Sequence, residues 1–245
     1  MSELARAVEA QRAEIEAAVT ARGLAVLGFV APCPEDGSVV AIDGRAARAL
    51  VLVGWRGRVG WAAFAGAPER RDGAADPLDR WSRRVVGGLA EELGARALFP
   101  FEGPPWPPVQ RWALRSGGRG AAPTGLVIDA TVGPWLGFRG ALAFAEELAL
   151  RFDGETISPC GTCATRPCLT ACPADAFDGS GFAEARCRGH LEGHAGGLCR
   201  TDGCRARDAC PIGRAHRYAP DQIRFLMNAF RASAPVAAPQ ETTGR

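Results

Sequence analysis

Eight of the nine cysteines of this chain lie between Cys160 and Cys210, and four of them fall within the thirteen positions of CGTCATRPCLTAC, residues 160–172. Thiols packed so densely in sequence constrain a fold more than any hydrophobic pattern can. They hold a metal centre, pair as disulfides, or sit idle. The amino terminus, MSELARAVEAQRAEIEAAV, is acidic and amphipathic, with no basic segment leading into an apolar run, so it does not read as a signal peptide. No stretch approaches the roughly 20 apolar residues of a membrane span. A cytoplasmic chain with no membrane association is expected, and in that reducing compartment cysteine clusters are more often metal sites than disulfides.

The spacing sharpens the choice. The run Cys160-x2-Cys163-x4-Cys168-x3-Cys172-Pro173 matches the ferredoxin pattern C-x2-C-x2-C-x3-C-P except for two extra residues in the middle gap. Three thiolates on one tight loop can each reach a different iron of a [4Fe–4S] cube, while the fourth, before a helix-breaking proline, points away. The small neighbours Gly161, Thr162, Ala164, Ala171 and Ala174 let backbone N–H groups approach the sulfurs. A second group follows: Cys187, Cys199, Cys204 and Cys210-Pro211. In two-cluster ferredoxins the cysteine before proline ligates the other cluster. On that logic one cluster takes Cys160, Cys163, Cys168 and Cys210, and the other takes Cys172, Cys187, Cys199 and Cys204. Zinc remains the rival. Its usual signature is a pair of C-x2-C knuckles, and only one C-x2-C is present. His190 and His194 have i,i+4 spacing, but Gly193, Gly196 and Gly197 argue against a helix that would present both to one metal. Cys33, with no histidine near it in sequence, reads as a passive loop thiol.

Upstream of the cysteines the pattern is that of an α+β domain. Residues 3–22 have helical apolar spacing and end at Gly23; GLAVLGFVAP (23–32) and ALVLVGW (49–55) suit buried strands. A helix is expected from Leu78 to Leu93, starting at Asp76-Pro77, followed by a strand in GARALFPF. GPPWPPVQRW (103–112) reads as a proline-rich turn opening a short helix, and SGGRGAAPTG (116–125) as a flexible loop. GLVIDATVGPWLGFRGALAF (125–144) predicts strand, turn at Gly133-Pro134, and strand. DQIRFLMNAF (221–230) reads as a last amphipathic helix. The expected division is a domain over 1–155, a cysteine module over 156–218, a helix over 219–232 and a disordered tail over 233–245.

The succession of the CP run, EARC (184–187), DGC (202–204) and ACPIG resembles the dicluster module of epoxyqueuosine reductases and related corrinoid-dependent reductases. The likeness extends to residues 125–144, which resemble the strand–turn–strand preceding the clusters in those enzymes. GPWLGFRGAL is also similar to a segment of cobalamin-processing proteins of the cblC type. The resemblance covers residues 125–212 and implies a nitroreductase-like α+β domain, holding a corrinoid or flavin against its sheet, followed by a two-cluster ferredoxin-like module. Two features depart from it: the two-residue insertion in the first run, and the absence of a cysteine between Cys204 and Cys210, which leaves Cys199 to supply the ligand from upstream. No residue corresponds to the family's catalytic acid and the helical repeats that bind tRNA are missing, so queuosine synthesis is not expected.

Three functions follow. The chain passes single electrons through two [4Fe–4S] clusters; or it is a reductase whose clusters feed cobalamin or flavin on the N-terminal domain; or its metal centres are structural or sensory. In the reductase reading Trp135, Arg139, Trp106 and Trp112 line the cofactor pocket, the arginine pairing with a phosphate or carboxylate; the alternative places the tryptophans in the core and the arginine in a surface ion pair. All 29 basic residues are arginine, which excludes any lysine-dependent chemistry, and the formal charge of +2 gives no field for nucleic acid. No Gly-x-Gly-x-x-Gly follows a strand, so electrons are expected from a protein partner (a flavodoxin, a ferredoxin or a reductase), with a small-molecule substrate in the reductase case.

Overall fold

The computed structural model describes residues 3–148, 158–177 and 181–233. The tail expected over 233–245 lies outside them apart from Ser233. The architecture is mixed α/β, and the chain divides into two compact units. The first contains Met1–Ala122, Leu126–Ala164 and Pro211–Ala219; the second contains Pro123–Gly125, Thr165–Cys210 and Pro220–Arg245.

The first unit is organised by an antiparallel sheet in the order β1-β2-β6-β3. Its strands are β1 (Ala25–Val30), β2 (Ala49–Arg56), β3 (Arg96–Leu98) and β6 (Leu136–Phe144). Central β2 is buried from Ala49 to Trp55, which explains why it is a continuous apolar run rather than an alternating one. Each fully buried Leu or Val on it contributes about 1.5–3 kcal/mol. β2 pairs along its length with β6, from Ala49 opposite Phe144 to Arg56 opposite Leu136. Helix α1 (Glu3–Ala21) buries Ile15 and Val19 and ends at Gly23, whose φ of +69° is the left-handed turn that glycine favours. Short α2 (Trp61–Ala65) and longer α3 (Pro77–Glu92) bring Trp61, Phe64 and Trp81 around Trp55, with ring centroids 5.6–6.2 Å from it. Short α4 (Val109–Arg115) buries Val109 and Trp112.

One sequence expectation needs correction here. SGGRGAAPTG is not loop throughout: residues Arg119–Ala121 form β4, paired antiparallel with β5 (Val127–Asp129). The strand, turn and strand expected over 125–144 are formed, β5 pairing with β4 and β6 with β2 and β3. Beyond that turn, the backbone of Val132-Gly133 lies directly against Ile212-Gly213. A Cβ on Gly133 would fall inside contact with Ile212 O, and one on Gly213 inside contact with Val132 O.

The second unit is built from short helices: α5 (Pro167–Thr170), α6 (Glu184–Glu192), α7 (Gly197–Asp202), α8 (Arg205–Asp208) and α9 (Pro220–Ala232). Arg188 ties α6 to α9 by donating to Phe230 O at 2.8 Å while pairing with Glu184 Oε1 at 2.6 Å. Among the described residues of this unit the buried apolar side chains are Ala176, Leu191, Cys199, Ala206 and Ile223. So few cannot carry a region of this length by hydrophobic burial, and small regions of that kind are held by disulfides or metals.

Candidate metal centre

Four thiols of the second unit come from four different local structures. Cys172 follows α5 and its sulfur accepts the N–H of Ala176 at 3.5 Å. Cys187 lies within α6, Cys199 within α7, and Cys204 is the N-cap of α8. They are close enough to act on one another's charge. Burial, followed by the charges of Cys204, Cys172 and Cys199, pushes the Cys187 thiol up to about 11. Burial and then Cys204 and Cys172 raise Cys199. Burial raises Cys204 most, with Cys172 adding to it against the opposing backbone N–H groups of Arg207 and Ala206. Like charges crowded in a half-buried place favour the neutral thiols, and a bound cation reverses that preference, so metal loading here releases protons.

His190 Nε2 approaches Cys199 Sγ at 3.7 Å. His194 stands beyond the end of α6 at Gly193, in a separate 3-10 turn, so the two histidines do not share a helix. Of the remaining four cysteines, Cys160 and Cys163 sit in tight turns of the first unit, where Cys163 N–H donates to Cys160 O at 3.4 Å and Cys160 N–H to Ser158 Oγ at 3.4 Å. Cys168 lies in α5 and Cys210 follows α8, its N–H donating to Arg207 O at 3.3 Å. Among the described residues no disulfide is formed, and no three His, Cys, Asp or Glu side chains are drawn together as around a single metal ion. Cys33 is the N-cap of a 3-10 turn, and a hydrogen bond with Glu35 pushes its thiol above the usual range, which disfavours the thiolate.

On the sheet, Arg139 of β6 lies over the Trp55 ring, 5.3 Å from its centroid. Its Nε is shut away from solvent with no hydrogen-bond partner, and burial lowers the guanidinium's pKa, opposed by Tyr218 and Asp79. Burial in turn raises the Asp79 carboxyl, with Arg139 opposing. Trp135 is buried and meets Tyr218 edge-on at 5.4 Å. The other two sequence candidates occupy opposite environments: Trp112 is 1% exposed inside α4 and Trp106 is 60% exposed. Trp55, Asp79 and Tyr218 were not legible as neighbours of Arg139, because they come from β2, α3 and the segment after the last cysteine; only the tertiary fold joins them.

A mixed α/β fold with a separate cysteine-bearing unit is the class these elements define. No protein-family model matches the sequence. No curated protein matches it. Among solved structures, the chain is similar to the epoxyqueuosine reductase from Streptococcus thermophilus, at 18% identity over 86% of this chain and 70% of that one, with a TM-score of 0.50. It is also similar to a selenomethionine-labelled epoxyqueuosine reductase, at 15% identity over 89% and 69% of the two chains, with a TM-score of 0.44. At such identities the first likeness speaks for the fold. No helix among the described residues is long and apolar enough to cross a membrane.

Proposed function

We propose that this chain is an iron–sulfur redox protein that carries two [4Fe–4S] clusters and passes single electrons. The carrying observation is the pair of cysteine runs between Cys160 and Cys210, each ending in Cys-Pro; Cys172, Cys187, Cys199 and Cys204 also raise one another's thiols. The second unit, with five buried apolar side chains among its described residues, would gain cohesion from such a centre. Cys160, Cys163, Cys168 and Cys210 would hold the other cluster. The clusters supply one-electron transfer; the chain supplies thiolates, backbone donors and partial exclusion of water.

A reductase is the second reading, favoured by the fold likeness to an epoxyqueuosine reductase and by Arg139. A half-buried arginine whose Nε has no partner would suit the phosphate or carboxylate of a corrinoid or flavin. Arg139 remains suited to such a group, whereas Trp112 and Trp135, 1% and 4% exposed, pack in the core. A flavodoxin, a ferredoxin or a reductase would then supply electrons.

Anaerobic purification with iron, zinc and cobalt analysis tests both readings. Two cubes require about eight irons per chain and a brown protein. A colourless, zinc-loaded chain would overturn the proposal. Stoichiometric uptake of cobalamin or flavin, weakened in R139Q, would establish the reductase; eight irons with neither cofactor taken up would leave an electron carrier.

A further inference from the structure

A second site, independent of the clusters and outside the function proposed above, lies at the β1 edge of the sheet. We infer that the pocket between α1, the β1 bulge, the end of β2 and the 116–119 turn binds the oxyanion head, carboxylate or phosphate, of a small organic molecule. The cavity measures about 390 Å³ and is bordered by Arg12, Arg56 and Arg119 against Glu16 and Asp129, with Phe29 as an apolar wall. Its size falls within the range of small-molecule sites, roughly 300–1,000 Å³. Three guanidinium groups against two carboxylates leave one positive charge.

Arg119 is the reason to assign a ligand rather than a structural staple. Its side chain is 6% exposed. One terminal nitrogen donates to Ser116 Oγ at 2.8 Å and to Gly117 O at 3.4 Å, and the other reaches Asp129 Oδ2 only at 3.3 Å. Its Nε has no hydrogen-bond partner. Asp129 is a shared partner, since its Oδ1 already accepts the N–H groups of Thr131 and Val132, both at 2.9 Å. Burial lowers the Arg119 pKa; Asp129 opposes this and the nearby Arg56 adds to it. A buried, thinly paired cation beside a second cation in the lining of one cavity is an arrangement that an anion would relieve.

The backbone makes room for this arrangement. The β1–β2 register shifts between Val26 and Gly28, and Gly28 has φ of +152°. A Cβ there would collide with Ser116 and come within 3.1 Å of the Arg119 guanidinium. At the mouth, Arg56 donates to Val26 O at 3.2 Å and Arg12 lies 4.5 Å from the Phe29 ring centroid, so both cations are held at the rim. A ligand with a flat or apolar body would set its head among the arginines and its body along Phe29.

The test uses the full chain with inorganic phosphate and benzoate as probes, titrated by calorimetry and followed by thermal midpoint, with chloride at matched ionic strength as reference. At least one probe should bind saturably beyond chloride, and which one binds tells phosphate from carboxylate. R56Q and R12Q should each weaken binding about tenfold, the worth of one charge-assisted hydrogen bond, as read by calorimetry against each variant's own chloride reference. R58Q, which removes an exposed charge outside the pocket, should bind as the wild type does. No saturable binding of either probe, full binding retained in both R56Q and R12Q, or an equal loss in R58Q would each overturn the assignment.

Discussion

Asp36 shows how a single residue can anchor a turn that has little else to hold it. Its carboxylate is closed to solvent, in a 3-10 turn running Pro34–Asp36. Burial alone would push the carboxyl up. Hydrogen bonds from Arg115 at 2.5 and 3.0 Å and from Cys33 N–H at 3.0 Å outweigh it and hold the group at about 2, against 3.8 without partners. A folded value below the unfolded one means stability that is complete above the unfolded value and lost as pH falls through about 4 towards 2. Allowing for solvent screening at the turn, the contribution is about 1–2 kcal/mol. The urea midpoint of D36N should therefore fall below the wild type's at pH 7, and the gap should close on acidification over that window. Arg115→Leu strands the carboxylate and should cost more, about 2–4 kcal/mol, with part recovered in the D36N/R115L double variant. Equal losses in R115L and in the double variant would remove the charge argument.

Among the elements, the Gly133-Pro134 turn has a partner that no local pattern shows. Gly133 and Gly213 have φ of +66° and +70°, and each meets the other's strand of backbone where a side chain would fit only by moving main-chain atoms. Gly133→Ala combines strain with overpacking and should cost about 2–4 kcal/mol, a fall of roughly 5–12 °C in thermal midpoint. An unchanged midpoint would mean that the two segments separate at little cost. The elements that were legible are those whose information is local. α1, α3 and α9 follow helical spacing, and β1 and β2 are apolar runs flanked by glycine or charge. β4 was not legible: its three residues, Arg119 to Ala121, carry no strand-forming side chain and sit among glycines, and only pairing with β5 makes them a strand. The anion pocket was hidden for the same reason. Its buried cation lies inside a stretch that reads as a loop, and Arg12, Gly28 and Arg56 join it from three other elements. The cysteine runs are readable because their spacing is itself local information; which thiols share a centre is not.

For the molecule as a whole, the proposal turns on how the eight thiols divide into two sets of four. If each cube used only its own run, Cys172 would serve with Cys160, Cys163 and Cys168. In the crossed arrangement proposed here, Cys172 serves with Cys187, Cys199 and Cys204, whose charges act together. Single cysteine-to-serine variants do not separate these schemes, since each removes one ligand of one cluster either way. The double variant C172S/C187S does. Under the crossed scheme both changes damage the same cube, and about four of eight irons should remain, with the signal of one intact cluster in the reduced protein. Under the run-by-run scheme each cube loses a ligand and iron should fall towards zero. The reciprocal pair, C160S/C210S, should likewise retain about four irons only if Cys210 reaches the cluster of Cys160. Retention in both pairs would also explain why the two runs are needed on one chain: neither cube closes without a cysteine from the other run, so cluster loading and the ordering of this thinly cored unit become one cooperative event.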